Sequence, residues 1–232
     1  MSMSSQLPRL ERVSISDQAY EVLKESIFGR QFAAGERLDL SVIEQQMGIS
    51  RTPLREAITR LALEGLVEIV PRSGTFVTQP SRQDIVEQFG VRLALEVYAI
   101  GVSAKRLTDR QMKQLASLAR QMRALGEVQD RSETYSQYTE LDRAFHRLII
   151  EGAGNSLLVQ LWEQVNLHMQ MARIRYRRTD RDLDTTIAQH EAIAQAMPER
   201  DPAVLRKLMH AHIERAKSAL LRDLDEIRDV QV

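Results

Sequence analysis

Three histidines and one aspartate in the second half of this chain have the residue types and spacing to hold a metal ion. Asp142 and His146 are four apart, so they share one face of a helix. Their neighbours Leu141, Phe145, Leu148 and Ile149 are apolar, which sets both polar groups beside a core rather than in water. His190 and His212 flank a break that runs from Met197-Pro198 to Asp201-Pro202. At ~1.5 Å per residue, His190 lies ~12 Å before the first proline and His212 ~15 Å after the second, along two helices folded back on each other. The imidazoles can then meet at similar depth. Three imidazoles and one carboxylate suit zinc, nickel or a neighbouring divalent ion, with positions left for water or ligand. Read singly, each histidine also fits a hydrogen-bonded core position, and Asp142 with His146 fits a helix-surface pair.

A different chemistry is written near the start of the chain. In Ile49-Ser50-Arg51-Thr52-Pro53-Leu54-Arg55-Glu56-Ala57, two arginines four apart follow a Gly48 turn and open a helix. Arg51 and Arg55 project from one face, where a recognition helix carries the side chains that touch base edges in the major groove. Ser50 is the expected N-cap, Pro53 fits the first turn, and Thr52 faces the groove. Arg60 adds charge further along, or pairs with Glu64 at helical spacing. At a hairpin tip beyond, Gly74 lets the backbone approach the sugar-phosphate chain and Arg72 supplies charge.

These residues imply the elements that position them. Leu40 to Gly48 reads as a short helix closed by glycine, and Ile58, Leu61, Ala62 and Leu66 continue an apolar stripe ended by Gly65. Leu66 to Val70 and Arg72 to Val77 read as a β-hairpin. The expected fold is mostly α: an N-terminal winged helix-turn-helix with a small β-hairpin wing, followed by a six-helix antiparallel bundle. The expected divisions are a flexible arm over 1–15, the DNA-binding domain over 16–78, a linker over 79–83, and the helical domain over 84–226. In the bundle, Ile85, Phe89, Leu93, Val97, Ile100 and Ala104 form the first stripe. Met112 to Met122, Tyr135 to Glu151, Leu157 to Met169, Thr185 to Met197 and Pro202 to Leu224 give the other five helices. Such a bundle is large enough to enclose a cavity.

Composition bounds the partners. The 32 basic and 32 acidic residues cancel, and residues 1–80 hold nine Lys/Arg against ten Asp/Glu. DNA binding therefore rests on a local patch, with Arg9 and Arg12 as possible additions, which suits a specific duplex reader and not a coating protein. There is no cysteine, hence no disulfide and no thiolate metal site. No run approaches the ~20 apolar residues of a membrane span, so a cytoplasmic protein without membrane partners is expected. The basic run Arg173-Ile174-Arg175-Tyr176-Arg177-Arg178 reads as a solvated helix end rather than a second nucleic-acid patch.

Residues 16–78 resemble the winged-helix domain of the GntR family of transcription regulators. The resemblance lies in Ser50-Arg51-Thr52-Pro53-Leu54-Arg55-Glu56-Ala57, Arg60-Leu61, Glu64-Gly65-Leu66-Val67 and Gly74-Thr75-Phe76-Val77. The remainder is similar to the FCD effector domain of the FadR branch, in Arg92 with Glu96, Asp142-Arg143-Ala144-Phe145-His146, Gly154-Asn155, His190-Glu191-Ala192-Ile193 and His212. Six effector helices favour the VanR-like subgroup. Glu44 departs from the alanine common at its position, which can alter packing beneath the recognition helix.

The resemblance implies a homodimeric regulator on a pseudo-palindromic operator, whose affinity changes with a small organic acid or sugar acid. It also implies a divalent metal held by Asp142, His146, His190 and His212. Arg92 is then a candidate bidentate partner for the effector carboxylate, or else an intrahelical partner of Glu96. Thr186, four before His190, is a further candidate. The competing classes are a metal-dependent hydrolase using the same four residues and a metal-free effector-binding regulator. Against an enzyme, the first domain would lack a purpose and no separate general base stands beside the ligands.

Overall fold

A computed structural model describes residues 14–126, 131–176 and 183–230, apart from the side chains of 131–136, 174–176 and 228–230. Most of the expected N-terminal arm, with Arg9 and Arg12, and the basic run beyond Arg173 lie outside the described residues or side chains. The chain forms two compact units, 1–79 and 80–232.

The first unit is built on α1 (Ile15–Phe28), α2 (Leu40–Met47) and α3 (Arg51–Leu63). Ser14 caps α1 by accepting from the Ser16 N–H, and Ala19, Tyr20, Leu23 and Ile27 form its buried face. That face meets Leu54, Ala57, Ile58 and Leu61 of α3. Asp39 caps α2 through the N–H groups of Ser41 and Val42, and Gly48 closes it at φ 63°, a left-handed conformation that glycine reaches without strain. Ser50 holds the N-cap position of α3 in extended conformation, yet its hydroxyl makes no capping bond. The wing pairs β2 (Val67–Val70) with β3 (Gly74–Val77), running from Val67 opposite Val77 to Val70 opposite Gly74.

Sequence reading foresaw this hairpin but not a third strand. β1 (Arg37–Leu38) pairs with Phe76 and Thr75 on the other edge of β3, giving the order β1-β3-β2. Two residues between the Gly35 turn and the Asp39 cap carry no period-two pattern. The strand exists because Gly35 N–H bonds Val77 O and Val77 N–H bonds Glu36 O, both at 2.9 Å.

The second unit contains, among the described residues, six α-helices and a 3-10 turn: α4 (Arg82–Arg106), α5 (Asp109–Gly126), α6 (Arg131–Gly152), α7 (Ser156–Tyr176), α8 (Leu183–Ala196) and α9 (Pro202–Val230), with the turn at Met197–Glu199. A Ser81/Asp84 capping box starts α4, which packs against α6, α7 and α9. Its buried face runs through Ile85, Phe89, Arg92, Glu96, Ala99, Ile100, Ser103 and Ala104. The stripe is thus turned by one residue at its centre from the expected one. Leu93 and Val97 are half-buried and the charged pair Arg92 and Glu96 takes the core positions. The break after α8 docks on the end of α4, where the Arg200 guanidinium donates to Ala104 O at 3.2 Å and Leu107 O at 3.0 Å. This contact sets the depth at which α8 and α9 bring their histidines inward.

Candidate metal centre and DNA-reading face

Asp142, His146, His190 and His212 are all buried, and one ligand atom from each lies within 4.8 Å of every other. His146 Nε2 is 3.3 Å from His190 Nε2 and 3.2 Å from His212 Nε2, while Asp142 Oδ1 is 3.1 Å from His190 Nε2. Elements α6, α8 and α9 supply these groups, and Phe145 packs edge-on against the His190 ring at 4.9 Å. The i,i+4 spacing of Asp142 and His146 explains one half of the cluster, and the α8–α9 turn explains the other.

The ring tautomers follow from the outer contacts. His190 Nδ1 lies 2.9 Å from Thr186 O, a carbonyl that can only accept, so this nitrogen carries the proton. His146 Nδ1 lies 2.6 Å from Glu96 Oε2, again an acceptor. The His190 ring therefore turns an Nε2 lone pair toward the common point, the arrangement that outer-shell carbonyls impose on metal-binding histidines. Thr186, expected near an effector, orients His190 through its main-chain oxygen.

Glu96 is the hub of the outer shell. Its Oε1 accepts from Arg92 Nε at 2.7 Å and from Trp162 Nε1 at 2.8 Å. Arg92 thus makes the intrahelical pair, and its Nη2 also reaches to 3.1 Å from His146 Nε2. Arg92 is anchored by Glu96, and its fork faces the cluster. Arg173 adds a second guanidinium, with Nη1 2.6 Å from Asp142 Oδ2 and the side chain 12% exposed. Its expected place in a solvated helix end is corrected, because α7 turns this one arginine inward to a buried carboxylate. Sequence reading places neither Trp162 nor Arg173 at the site. The single tryptophan of the chain on an apolar stripe was the available signal for the first.

Charge follows from these contacts. Burial alone would raise the Glu96 carboxyl, but Arg92 and His146 outweigh it and hold it below the ordinary carboxylate range. Asp142 behaves alike: burial is overridden by Arg173 and by bonds to His146 and His190, and its pKa falls well below the usual value. Burial pushes His190 down, partly offset by Asp142. His212 is pushed well down by burial and by the neighbouring His190 and His146. His146 goes up, since Glu96 and Asp142 together outweigh its burial and the nearby Arg92. One carboxylate, that of Asp142, and at least two neutral imidazoles thus face one point, a donor set fit for a divalent cation.

In the first unit, Arg51, Thr52 and Arg55 are exposed on α3 opposite its buried face. Arg55, Arg72, Arg37 and Gly74 border a groove of about 530 Å³ between α3 and the wing. Gly74 sits at φ 133°, a backbone conformation that side-chain-bearing residues rarely adopt, with the Arg37 side chain packed close against it. Arg72 turns the hairpin at φ 66°.

Arg60 is placed differently from its neighbours. Nine residues from Arg51, it points to the other side of the helix, at about 100° per residue. Its guanidinium lies over the Tyr20 ring at 3.6 Å and pairs with Asp17 at 3.2 Å and Glu64 at 3.7 Å. The same Tyr20 hydroxyl donates to Glu64. Arg60 is committed to holding α1 against α3.

A winged helix-turn-helix bearing exposed arginines, in a chain whose second unit is a helical bundle caging ionisable groups, defines the class: a DNA-binding regulator. Comparison with known proteins gives the family. The profile of "Bacterial regulatory proteins, gntR family" matches residues 15–77, and that of the FCD domain matches 87–215. The chain belongs to the GntR family of transcription regulators, in its FCD-domain branch. These families comprise regulators rather than enzymes. Among curated relatives, the Escherichia coli repressor GlaR is 29% identical, covering 84% of this chain and 90% of its own. The Escherichia coli repressor RspR is 27% identical over 93% of this chain and 92% of its own. Among solved structures, Escherichia coli McbR/YncC has the same fold, with TM-score 0.74 and 21% identity over 92% of this chain and all of that one. The metal-free FCD domain of TM0439 matches at TM-score 0.52 and 14% identity, over 63% of this chain and 97% of that one. No described helix is long and apolar enough to cross a membrane.

Proposed function

We propose that this regulator is a cytoplasmic homodimer. It binds a pseudo-palindromic operator and senses a small organic acid or sugar acid at a divalent-metal site in its helical domain. The observation that carries the sensing half is the convergence of one ligand atom each from Asp142, His146, His190 and His212 within 4.8 Å of one another, all buried. Nothing in an ordinary core requires three imidazoles to share one point. Asp142, His146, His190 and His212 would hold the ion, zinc or nickel suiting this nitrogen and oxygen set. When bound, the ion supplies positive charge and open positions for an anionic ligand. The Arg92 and Arg173 guanidiniums beside it favour a carboxylate and disfavour a cationic or neutral effector. Six α-helices among the described residues of the domain, α4 to α9, support the VanR-like subgroup.

For the operator, Arg51, Thr52 and Arg55 read base edges in each half-site, while Arg72 and Gly74 approach the sugar-phosphate chain. Two-fold pairing of protomers matches the symmetry of the operator. The effector acts by favouring one arrangement of the two reading heads, which shifts an existing equilibrium. Elemental analysis of gently purified protein, repeated on His190→Ala, tests the site. Roughly one divalent ion per chain is expected in the first and a clear deficit in the second. Equal content in both rejects the metal and leaves a metal-free effector pocket. Operator titrations with and without small acids test the switch, which fails if no acid changes affinity.

A further inference from the structure

Among the exposed arginines of the reading face, Arg51 alone carries a carboxylate partner in the described residues. Glu44 on α2 accepts from Arg51 Nε at 3.1 Å, while no such ion pair engages Arg55 or Arg72. Glu44 is well seated: its main-chain oxygen takes the Gly48 N–H that closes α2 and the Ile49 N–H at 3.2 Å. The turn between α2 and α3 therefore hangs from the residue whose side chain holds Arg51. The carboxylate is 20% exposed and the arginine 66%. A mostly buried acid thus steadies a mostly exposed guanidinium.

We propose that Glu44 is a specificity-determining positioning residue, which holds Arg51 for a guanine and penalises other bases at that position. Three physical steps lead there. The bond uses Nε, so the Nη1 and Nη2 edge stays open to the paired O6 and N7 acceptors that guanine alone presents in the major groove. A guanidinium already held gives up less rotamer freedom on docking, which favours the pre-set contact. A carboxylate beside the groove repels phosphates and base acceptors, so a site lacking the guanine leaves that repulsion uncompensated. The inference rests on the base-reading role of Arg51 proposed above.

The test is selection of the full-length protein against a random pool of duplex DNA, read by sequencing, for wild type, Glu44→Ala, Glu44→Gln and Arg51→Ala. Thermal melting of each variant checks that it folds. Glu44→Ala should lose guanine preference by about fivefold or more at one base of each half-site, with the rest of the motif intact. Binding to non-cognate duplex should tighten at the same time. Glu44→Gln keeps an acceptor for Arg51 Nε and should retain most of the preference. A Glu44→Ala motif identical to wild type overturns the proposal. So does a uniform loss of affinity at all sequences, which a merely structural role would produce. If Arg51→Ala also selects the wild-type motif, base reading by Arg51 fails first and the role of Glu44 falls with it.

Discussion

Replacing Glu96 by glutamine should unsettle the helical domain and its metal site together. Glu96 is 1% exposed and Arg92 4%, and they meet at 2.7 Å. On a surface such an i,i+4 pair would contribute under about 1 kcal/mol. Here glutamine leaves the Arg92 charge buried and without its anion, a loss of about 3–5 kcal/mol. In a unit of this size each kcal/mol moves the midpoint by about 2–4 °C, so the transition should fall by about 6–20 °C. The amide can still accept from Trp162 Nε1 through its oxygen. Its NH2 then faces His146 Nδ1, where Oε2 stands 2.6 Å away in the native protein. Two donors in contact force that ring toward the other tautomer and withdraw the Nε2 lone pair, so metal affinity should drop about 10- to 100-fold. Calorimetry of the metal-stripped chain and titration with zinc read the two effects separately. The double variant Arg92→Leu/Glu96→Gln removes both charges and should regain much of the lost stability without regaining metal affinity. Glu96→Gln that melts and binds zinc as wild type does would refute the reasoning.

Arg60→Ala should cost the first unit about 1 kcal/mol, from the lost contact with the Tyr20 ring and two partly exposed ion pairs, with no change in base preference. Melting and duplex selection check this, and altered preference at a single base would return Arg60 to the reading face. Arg55→Ala should weaken operator binding by about 1–3 kcal/mol and relax one base, measured by titration at fixed salt. Unchanged binding removes Arg55 from the contacts. Stability of the metal-free helical domain should fall on acidification. His190 and His212 are held below their ordinary value of 6.5, chiefly by burial, so their contribution is complete above that pH. It is lost as pH drops through 6.5 toward the folded-state values, because the unfolded chain takes up protons first. His146, raised by Glu96, contributes in the opposite sense below 6.5 and reduces the effect. Melting at about pH 7.5 and about pH 5.5 checks the net direction, and a higher midpoint in acid would contradict it.

Local signals were strong wherever a backbone rule or a short spacing decided the outcome. Gly48, Pro53 and the two short runs of the wing announced the helix-turn-helix and hairpin, because turn chemistry and strand-forming composition are properties of a few adjacent residues. Asp142 and His146 were legible for the same reason, and the proline-flanked break after Met197 made the pairing of His190 with His212 a matter of arithmetic. What tertiary structure decided was which polar groups the core would accept. A charged pair reads as a surface pair until a distant Trp162 and His146 are shown to satisfy it, so Arg92 and Glu96 displaced Leu93 and Val97 from the centre of α4. Arg173 became a partner of Asp142, and Arg60 a clamp on Tyr20, through contacts between helices far apart in the chain. Strand β1 likewise exists only because β3 lies alongside it. Amphipathic period is set by neighbours in sequence, whereas the burial of a charge depends on compensation that neighbours in space provide.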